Sequence, residues 1–460
     1  MAAISAEIRT LTGLALPVVG VQVGQMLMGI VDAMMVGHLG REPLAAVTLG
    51  TVWVFGTFVA AMGILHGLDP IVSQAHGRGD SATAGVALQR GVVLAIALSV
   101  PLSWLWLYAE PVFQLLRQDP ELAATAQTYI RSQLFCVAPL LIFAALRQYL
   151  QGRAIMRAAL WITLMANLVN LLGNWVLIFG NLGFPALGVL GAGIATGITR
   201  VFMMLALIAW TLYFRLHEGG WVPWSTSALQ PAGLLRILRY GVPVGIQISL
   251  EVWAFNFATL LAGRLGSSEL AAHAIVIKLA SFTFMFPLGI GMACSTRVGN
   301  LIGAGKLQEA QRAGWIAVAM GAGVMLVAAV MFVLLRHSLP VMFIKDATVI
   351  GLASTVLPIA AAFQIFDGAQ TVGAGVLRGM GDTRPAAIYT LLGFYFLALP
   401  LAWWLKTRGW GLPGIWWGLC LGLAILCALL MLRIQTRGPA RQLSATSSRK
   451  PVTPAAGGTP

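Results

Sequence analysis

Apolar runs of roughly 20 residues, the length that crosses the hydrocarbon core of a bilayer, recur about twelve times along this chain with short polar breaks between them. In lipid a backbone must satisfy its own hydrogen bonds, which leaves helices or a closed barrel, and runs of this length exclude the barrel. Composition agrees: 58% of the 460 residues are hydrophobic and 10% are charged, with a mean hydropathy of +0.85. The expected fold class is therefore an all-α membrane protein with twelve transmembrane helices.

A net charge of +14 would suggest nucleic acid as a partner of a soluble chain, so the positions of the basic residues decide. With the amino terminus in the cytoplasm, Arg78, Arg90, Arg147, Arg153, Arg157, Arg297, Lys306 and Arg384 all fall on the cytoplasmic side. Only a minority, among them Arg41, Arg117, Arg264 and Arg336, falls outside. This is the positive-inside asymmetry. It places both termini in the cytoplasm, makes the bilayer the partner of the surface, and removes the case for nucleic acid. The four cysteines all lie in apolar runs with no metal or disulfide spacing.

The chain is also written twice. Shifted by 226 positions (243 − 17), Pro17, Val18, Gly37, Leu39 and Gly40 meet Pro243, Val244, Gly263, Leu265 and Gly266. Farther along, Gly77 and Gly79 meet Gly303 and Gly305, and at an offset of 227 Gly152 and Arg157 meet Gly379 and Arg384. Each copy holds six crossings, so the two should be related by a pseudo-twofold axis along the membrane normal, around a central cavity. The expected organisation is a six-helix lobe with its connector over 1–220, a second lobe over 221–435, and a disordered cytoplasmic tail over 436–460, where Ser, Thr, Pro, Gly and Ala dominate.

Against that background a few polar residues stand out. Asp32, Glu251 and Asp367 lie inside apolar runs, and ionised carboxylates at mid-bilayer cost roughly 3 kcal/mol each on insertion scales. Either each is protonated or hydrogen-bonded and locks helices together, or the three face water and titrate or bind a cation during transport. Neighbouring amides suit the second reading. Gln247 stands four residues before Glu251 and Gln364 three before Asp367, while Asn170 and Asn174 share a face of helix five. Lys278 is the least expected charge: near Glu251 or Asp367 it would be an internal counter-ion, and at an interface it would snorkel. Arg131 and Arg200 read as snorkelling or structural, and Asp69 with His66 as close enough to a helix end to be wet.

Four segments together carry a resemblance: VDAMMVGHLG with Asp32, EVWAFNFATLLAGRLGSSELAAH with Glu251, FMFPLGIGMACSTRVGNLIG, and FQIFDGAQTVGAGVLRGMGDTR with Asp367. The chain resembles multidrug and toxic compound extrusion (MATE) transporters of the bacterial NorM-like branch over nearly its whole length. The resemblance implies a transporter, not an enzyme, in the bacterial cytoplasmic membrane, a monomer that exports organic cations and hydrophobic drugs in exchange for protons or sodium, with no cofactor. Asp32 becomes the first-lobe acid whose protonation bends helix one at Pro17, with Asn170, Asn174 and Thr196 around it. Glu251 and Asp367 become the second-lobe acids, supported by Gln247, Lys278 and Gln364, and the carboxylate ligands of the metal ion if sodium is the coupling ion. Phe363 stands where some sodium-coupled relatives have tyrosine, and Lys278 adds positive charge, so protons are favoured.

The rival in the same superfamily is a lipid-precursor flippase, for which a cavity lined by arginines would speak. An enzyme acting on lipids is the rival from another class. It would need a nucleophile, base or metal near an interface, and no such spacing occurs.

Overall fold

The computed structural model describes residues 2–441. In chain order the first half contains α1 (Ala2–Gly37), α2 (Arg41–Leu65), α3 (Leu68–Gly77), α4 (Ser81–Leu107), α5 (Ala109–Leu115), α6 (Pro120–Arg131), α7 (Val137–Gly152), α8 (Arg157–Phe179) and α9 (Gly188–Tyr213). The second half contains α10 (Pro231–Gly263), α11 (Ser267–Gly303), α12 (Leu307–Leu334), α13 (Ser338–Val341), α14 (Ala347–Met380), α15 (Arg384–Thr390), α16 (Leu399–Leu405) and α17 (Gly411–Arg437). The described residues contain no strand.

Ten helical runs are each long and apolar enough for one crossing, and an eleventh, Arg384–Arg441, spans 58 residues. A straight helix of that length would measure about 87 Å, nearly three hydrocarbon thicknesses. It turns back on itself instead. Gly409 and Gly411, at φ 86° and 56°, take a left-handed backbone that only glycine adopts without strain, and α17 returns along α16. The eleventh run therefore supplies two crossings, and the total is twelve.

Two expected helices are broken. Crossing two divides at His66–Gly67 and crossing four at Ser132–Cys136. Each restart carries a proline in its first turn, Pro70 in α3 and Pro139 in α7, where the missing N–H costs nothing. At the carboxyl end α17 runs to Arg437, two residues into the stretch read as tail, and the expected disorder from 442 to 460 lies outside the described residues.

Buried apolar side chains form two large clusters, one drawn almost wholly from each half. The exceptions are informative. Leu11 and Ala15 of α1 belong to the second-half cluster, and Ile237 of α10 to the first. The opening turns of the two repeat-related helices thus cross into the opposite half.

The seam between the halves is self-complementary, as a twofold contact must be. A Cβ on Gly63 would stand 2.4 Å from Gly245 Cα, and its counterpart at the 226 offset, Gly289, meets Val19 in the same way. Gly77 abuts Asn300 while Gly303 abuts Gln74. Gln74 Nε2 donates to Gly379 O at 3.0 Å, and Asn300, with its amide turned to donate, reaches Gly152 O at 3.1 Å. Ser73 and Gly299, each the other's counterpart, touch at the axis. All these approaches lie at or below the middle of α1, α2, α10 and α11 and in α3, toward the face where α1 begins, called here the near end.

The connector between the halves is tied to the first. Ser81 Oγ donates to Gly219 O at 2.6 Å, Gln89 Nε2 to Val222 O at 2.9 Å, and Arg153 Nη1 to Leu216 O at 2.6 Å. Close packing within that half follows from the small residues of α9: a Cβ on Gly191 would lie 2.3 Å from Leu177 O, and one on Gly193 2.7 Å from Tyr129 O.

Candidate functional site

Each half holds a carboxylate site. In the first, α1 brings Asp32 against α8 and α9. Asn174 Nδ2 donates to Asp32 Oδ1 at 2.5 Å, and Thr196 Oγ1 to Asp32 Oδ2 at 3.2 Å. Asn174 also donates to Asn170 Oδ1 at 3.3 Å, as residues four apart on one helix face can. Asn170 and Asn174 are completely buried and Asp32 is 9% exposed. Two polar atoms there stay unpartnered, Asn170 Nδ2 and Asn174 Oδ1, so the niche has donor and acceptor capacity to spare. Asn167 is turned away, donating to Thr163 O at 2.8 Å.

Pro17 lies buried fifteen residues upstream, inside an unbroken α1. Its ring removes the hydrogen bond to Gly13 O and leaves a point at which the helix bends with little penalty.

In the second half, Glu251 of α10 and Asp367 of α14 meet over one amide. Gln370 Nε2 donates to Glu251 Oε1 at 3.1 Å, to Asp367 Oδ1 at 3.2 Å and to Thr371 Oγ1 at 3.1 Å. Gln370 Oε1 is buried without a partner. Asp367 is 5% exposed and Glu251 half-buried. Four residues from each acid lie aromatic rings: Phe363, itself buried, packs edge-on against Phe255 at 5.9 Å and against Trp416 at 5.9 Å.

Three of the supporting residues expected from the sequence sit elsewhere. Gln364 donates to Thr283 Oγ1 at 2.9 Å and makes no bond to Asp367. Gln247 is buried but makes no hydrogen bond to Glu251. The physical reason is direction: a helical side chain leans toward its helix's amino terminus. Gln247 and Gln364 precede their acids and lean away, whereas Gln370, three residues after Asp367, leans back over it.

Lys278 is exposed and has no carboxylate within 4.0 Å, so it is not the internal counter-ion. The cation whose charge reaches Glu251 is Arg378, four turns along α14 from Phe363. Arg200 likewise acts on Asp32 from a distance while donating to Gln133 Oε1 at 2.8 Å and lying over the Trp106 ring. Arg131 is exposed. Asp69 and His66, expected to be wet, are 1% and 5% exposed. Among the described residues no three His, Cys, Asp or Glu gather as a metal cluster.

Two six-helix halves on a shared axis, each with carboxylates buried in its bundle, define a membrane transporter built from an internal repeat. The chain belongs to the MatE family, whose profile matches residues 17–176 and 243–404, one segment in each half. It is 37% identical over 438 residues to a Mesorhizobium japonicum protein carrying the name "Probable multidrug resistance protein NorM", covering 93% of both chains. The Burkholderia vietnamiensis multidrug resistance protein NorM is 35% identical, with 92% of this chain and 93% of that one covered. Among solved structures the fold matches the eukaryotic MATE transporter AtDTX14 at a TM-score of 0.89 and 24% identity, covering 97% and 99% of the two chains. It matches a mutant of the Vibrio cholerae MATE transporter VcmN at 0.85 and 19%, with the same coverage.

Proposed function

We propose that this protein exports organic cations and hydrophobic drugs in exchange for protons, by alternating access, from the cytoplasmic membrane of a bacterium with both termini inside. The near end then faces the cytoplasm, and its close packing supports reading this structure as the outward-facing side of the cycle. Outward-facing, the acids take up protons and drug leaves. Inward-facing, protons leave and drug enters.

The observation that carries this reading is the pair Glu251 and Asp367 sharing the single donor Gln370. Two ionised carboxylates on one amide repel each other in a poorly solvated site, and a proton or a bound cation relieves that repulsion. A ligand that arrives with positive charge competes for the same oxygens. The relatives' names, multidrug resistance proteins, support a drug-like substrate.

Protons are favoured over sodium on the donor set. Sodium seeks several oxygen ligands. Here Phe363 supplies none, and the positive charge of Arg378 acts on Glu251 from along α14. A proton moving down a 100 mV potential releases about 2.3 kcal/mol, which sustains roughly a fiftyfold gradient of an uncharged substrate at about 1.4 kcal/mol per tenfold. The test is uptake of a fluorescent organic cation into inverted vesicles under an imposed pH gradient or an imposed sodium gradient. Uptake driven by the pH gradient alone is expected; uptake driven by sodium and indifferent to pH overturns the proposal.

A further inference from the structure

Where the halves press together at the near end, a group of charges is sealed into the protein that the exchange cycle above does not use. Asp69, in the first turn of α3, has two carboxylate oxygens with no hydrogen-bond partner. The titratable side chain beside it is His66, with Nδ1 at 3.8 Å from Oδ2, and that ring is itself engaged by Gln148 Nε2. Two arginines carry charge toward Asp69: Arg147 on α7 of the same half, and Arg378 on α14 of the opposite half, whose carboxyl end packs on α3 where Gly381 faces Pro70. Both are buried, and Arg147 Nε, Arg147 Nη2 and Arg378 Nε are also without partners.

Charges buried at this depth persist only when satisfied. Unpartnered acceptors on Asp69 and unpartnered donors on both arginines, with no direct ion pair between them, are what bridging water satisfies.

The position of these charges on the seam separates them from ordinary structural pairs. The glycine and amide contacts across the seam occur in repeat-related pairs, Gly77–Asn300 with Gly303–Gln74 and Gln74–Gly379 with Asn300–Gly152, yet the charges occur once. At the repeat offsets Asp69 corresponds to Ser295, His66 to Met292, Arg147 to Ala374 and Arg378 to Gln151. Asp69 stands one turn from the axial Ser73, whose Oγ donates to Asp69 O at 2.5 Å, and Arg378 precedes Gly379, whose carbonyl takes the bond from Gln74 across the seam. The acid and one of its arginines therefore lie on opposite sides of the surface that must part when the near end opens.

We propose that Asp69 and Arg378 form a water-bridged electrostatic latch across the seam that holds the near end shut, with Arg147 keeping Asp69 seated in its own half. Arg147 is suited to that part, since its Nη1 donates to Gln22 of α1 at 3.4 Å. The proposal rests on alternating access.

The test places spin labels on the near-end turns of the two halves, through Arg78→Cys and Lys306→Cys, both exposed sites, in the full chain in lipid nanodiscs. The four native cysteines are buried. Distance distributions are then recorded with and without a transported organic cation. In the otherwise unaltered chain a short distance is expected to dominate. Asp69→Asn and Arg378→Gln are each expected to raise the ratio of long to short distances at least roughly tenfold, and Arg378→Lys to restore most of the short population. Arg147→Gln, which loosens the seating of Asp69 but leaves the cross-seam bridge in place, should raise it less than either Asp69→Asn or Arg378→Gln. An unchanged ratio in both Asp69→Asn and Arg378→Gln overturns the latch, as does a rise produced by Arg147→Gln to the same extent. Should Asp69→Asn fail to fold, Arg378→Gln with its lysine rescue decides. A single distance in the unaltered chain under every ligand condition removes alternating access, and the latch with it; two distances indifferent to these substitutions remove the latch alone.

Discussion

Asp32 and the pair Glu251–Asp367 are held by opposite arrangements. In the first half one carboxylate receives two donors, Asn174 and Thr196, from two different helices. In the second, two carboxylates divide one donor, Gln370. The repeat offsets make the difference sharper, because Asp32 falls opposite Ala258 and Glu251 opposite Gln25. A surplus of donors suits a carboxylate that can stand ionised, while a surplus of carboxylates calls for something positive to come in. The same scaffold thus offers one carboxylate with donors to spare and a pair of carboxylates short of them.

That contrast is most severely tested by removing the acids. Asp32→Asn has no second carboxylate in its site to fall back on, and export of a fluorescent cation from cells is expected to drop to that of cells lacking the protein. Glu251→Gln and Asp367→Asn each leave the other acid in place, so each single change should lower export about tenfold, a loss of about 1.4 kcal/mol, and the double change should abolish it. Full export in both single variants would take the second-half site out of the cycle. Equal loss in all three single variants would erase the distinction between the sites.

The amides come next. Gln370→Ala strips both acids of their shared donor, and removing a buried hydrogen-bond partner typically costs about 1–3 kcal/mol. Gln364→Ala loses only its bond to Thr283. Thermal unfolding in detergent should show a drop for both, but export should fall markedly only in Gln370→Ala. Asn174→Ala is the matching experiment in the first half. There Thr196 still serves Asp32, so a smaller loss of export is expected than for Gln370→Ala. The reverse order would mean that donor number does not set the demand for a guest.

How far these sites could be read from sequence follows from the geometry of a helix. Asn170 and Asn174 are legible because residues four apart on one helix share a face, and the apolar run around them makes two amides conspicuous. Glu251 and Asp367 announce themselves as acids in oil. Gln370 carries the same three-residue spacing from Asp367 as Gln364 does, and only the lean of helical side chains toward the amino terminus tells the two apart. Twelve crossings and the twofold relation are written in the apolar runs and the 226 offset. The breaks at His66–Gly67 and Ser132–Cys136 are marked only by prolines one turn later, a weak sign inside a long apolar run. Arg378 could not be found by periodicity at all, since its charge acts on Glu251 only once α10 and α14 are folded together, and on Asp69 only once the two halves are.

Lys278 supplies the smallest expected effect and the finest test of where positive charge acts. Its spacing in an apolar run suggests a counter-ion, but the folded chain leaves it exposed, with its amine near no carboxylate, and gives the task at Glu251 to Arg378. Exposed side chains that make no specific contact change stability by about 0.5 kcal/mol or less, so Lys278→Ala should leave unfolding temperature and export where they were. Arg378→Gln should not, because it withdraws a buried charge from between the second-half acids and the seam. If Lys278→Ala altered the dependence of export on external pH as strongly as Arg378→Gln, the positive charge felt by the acids would have to come from α11, and the contrast between a donor-rich first site and an acid-rich second one would need a third partner.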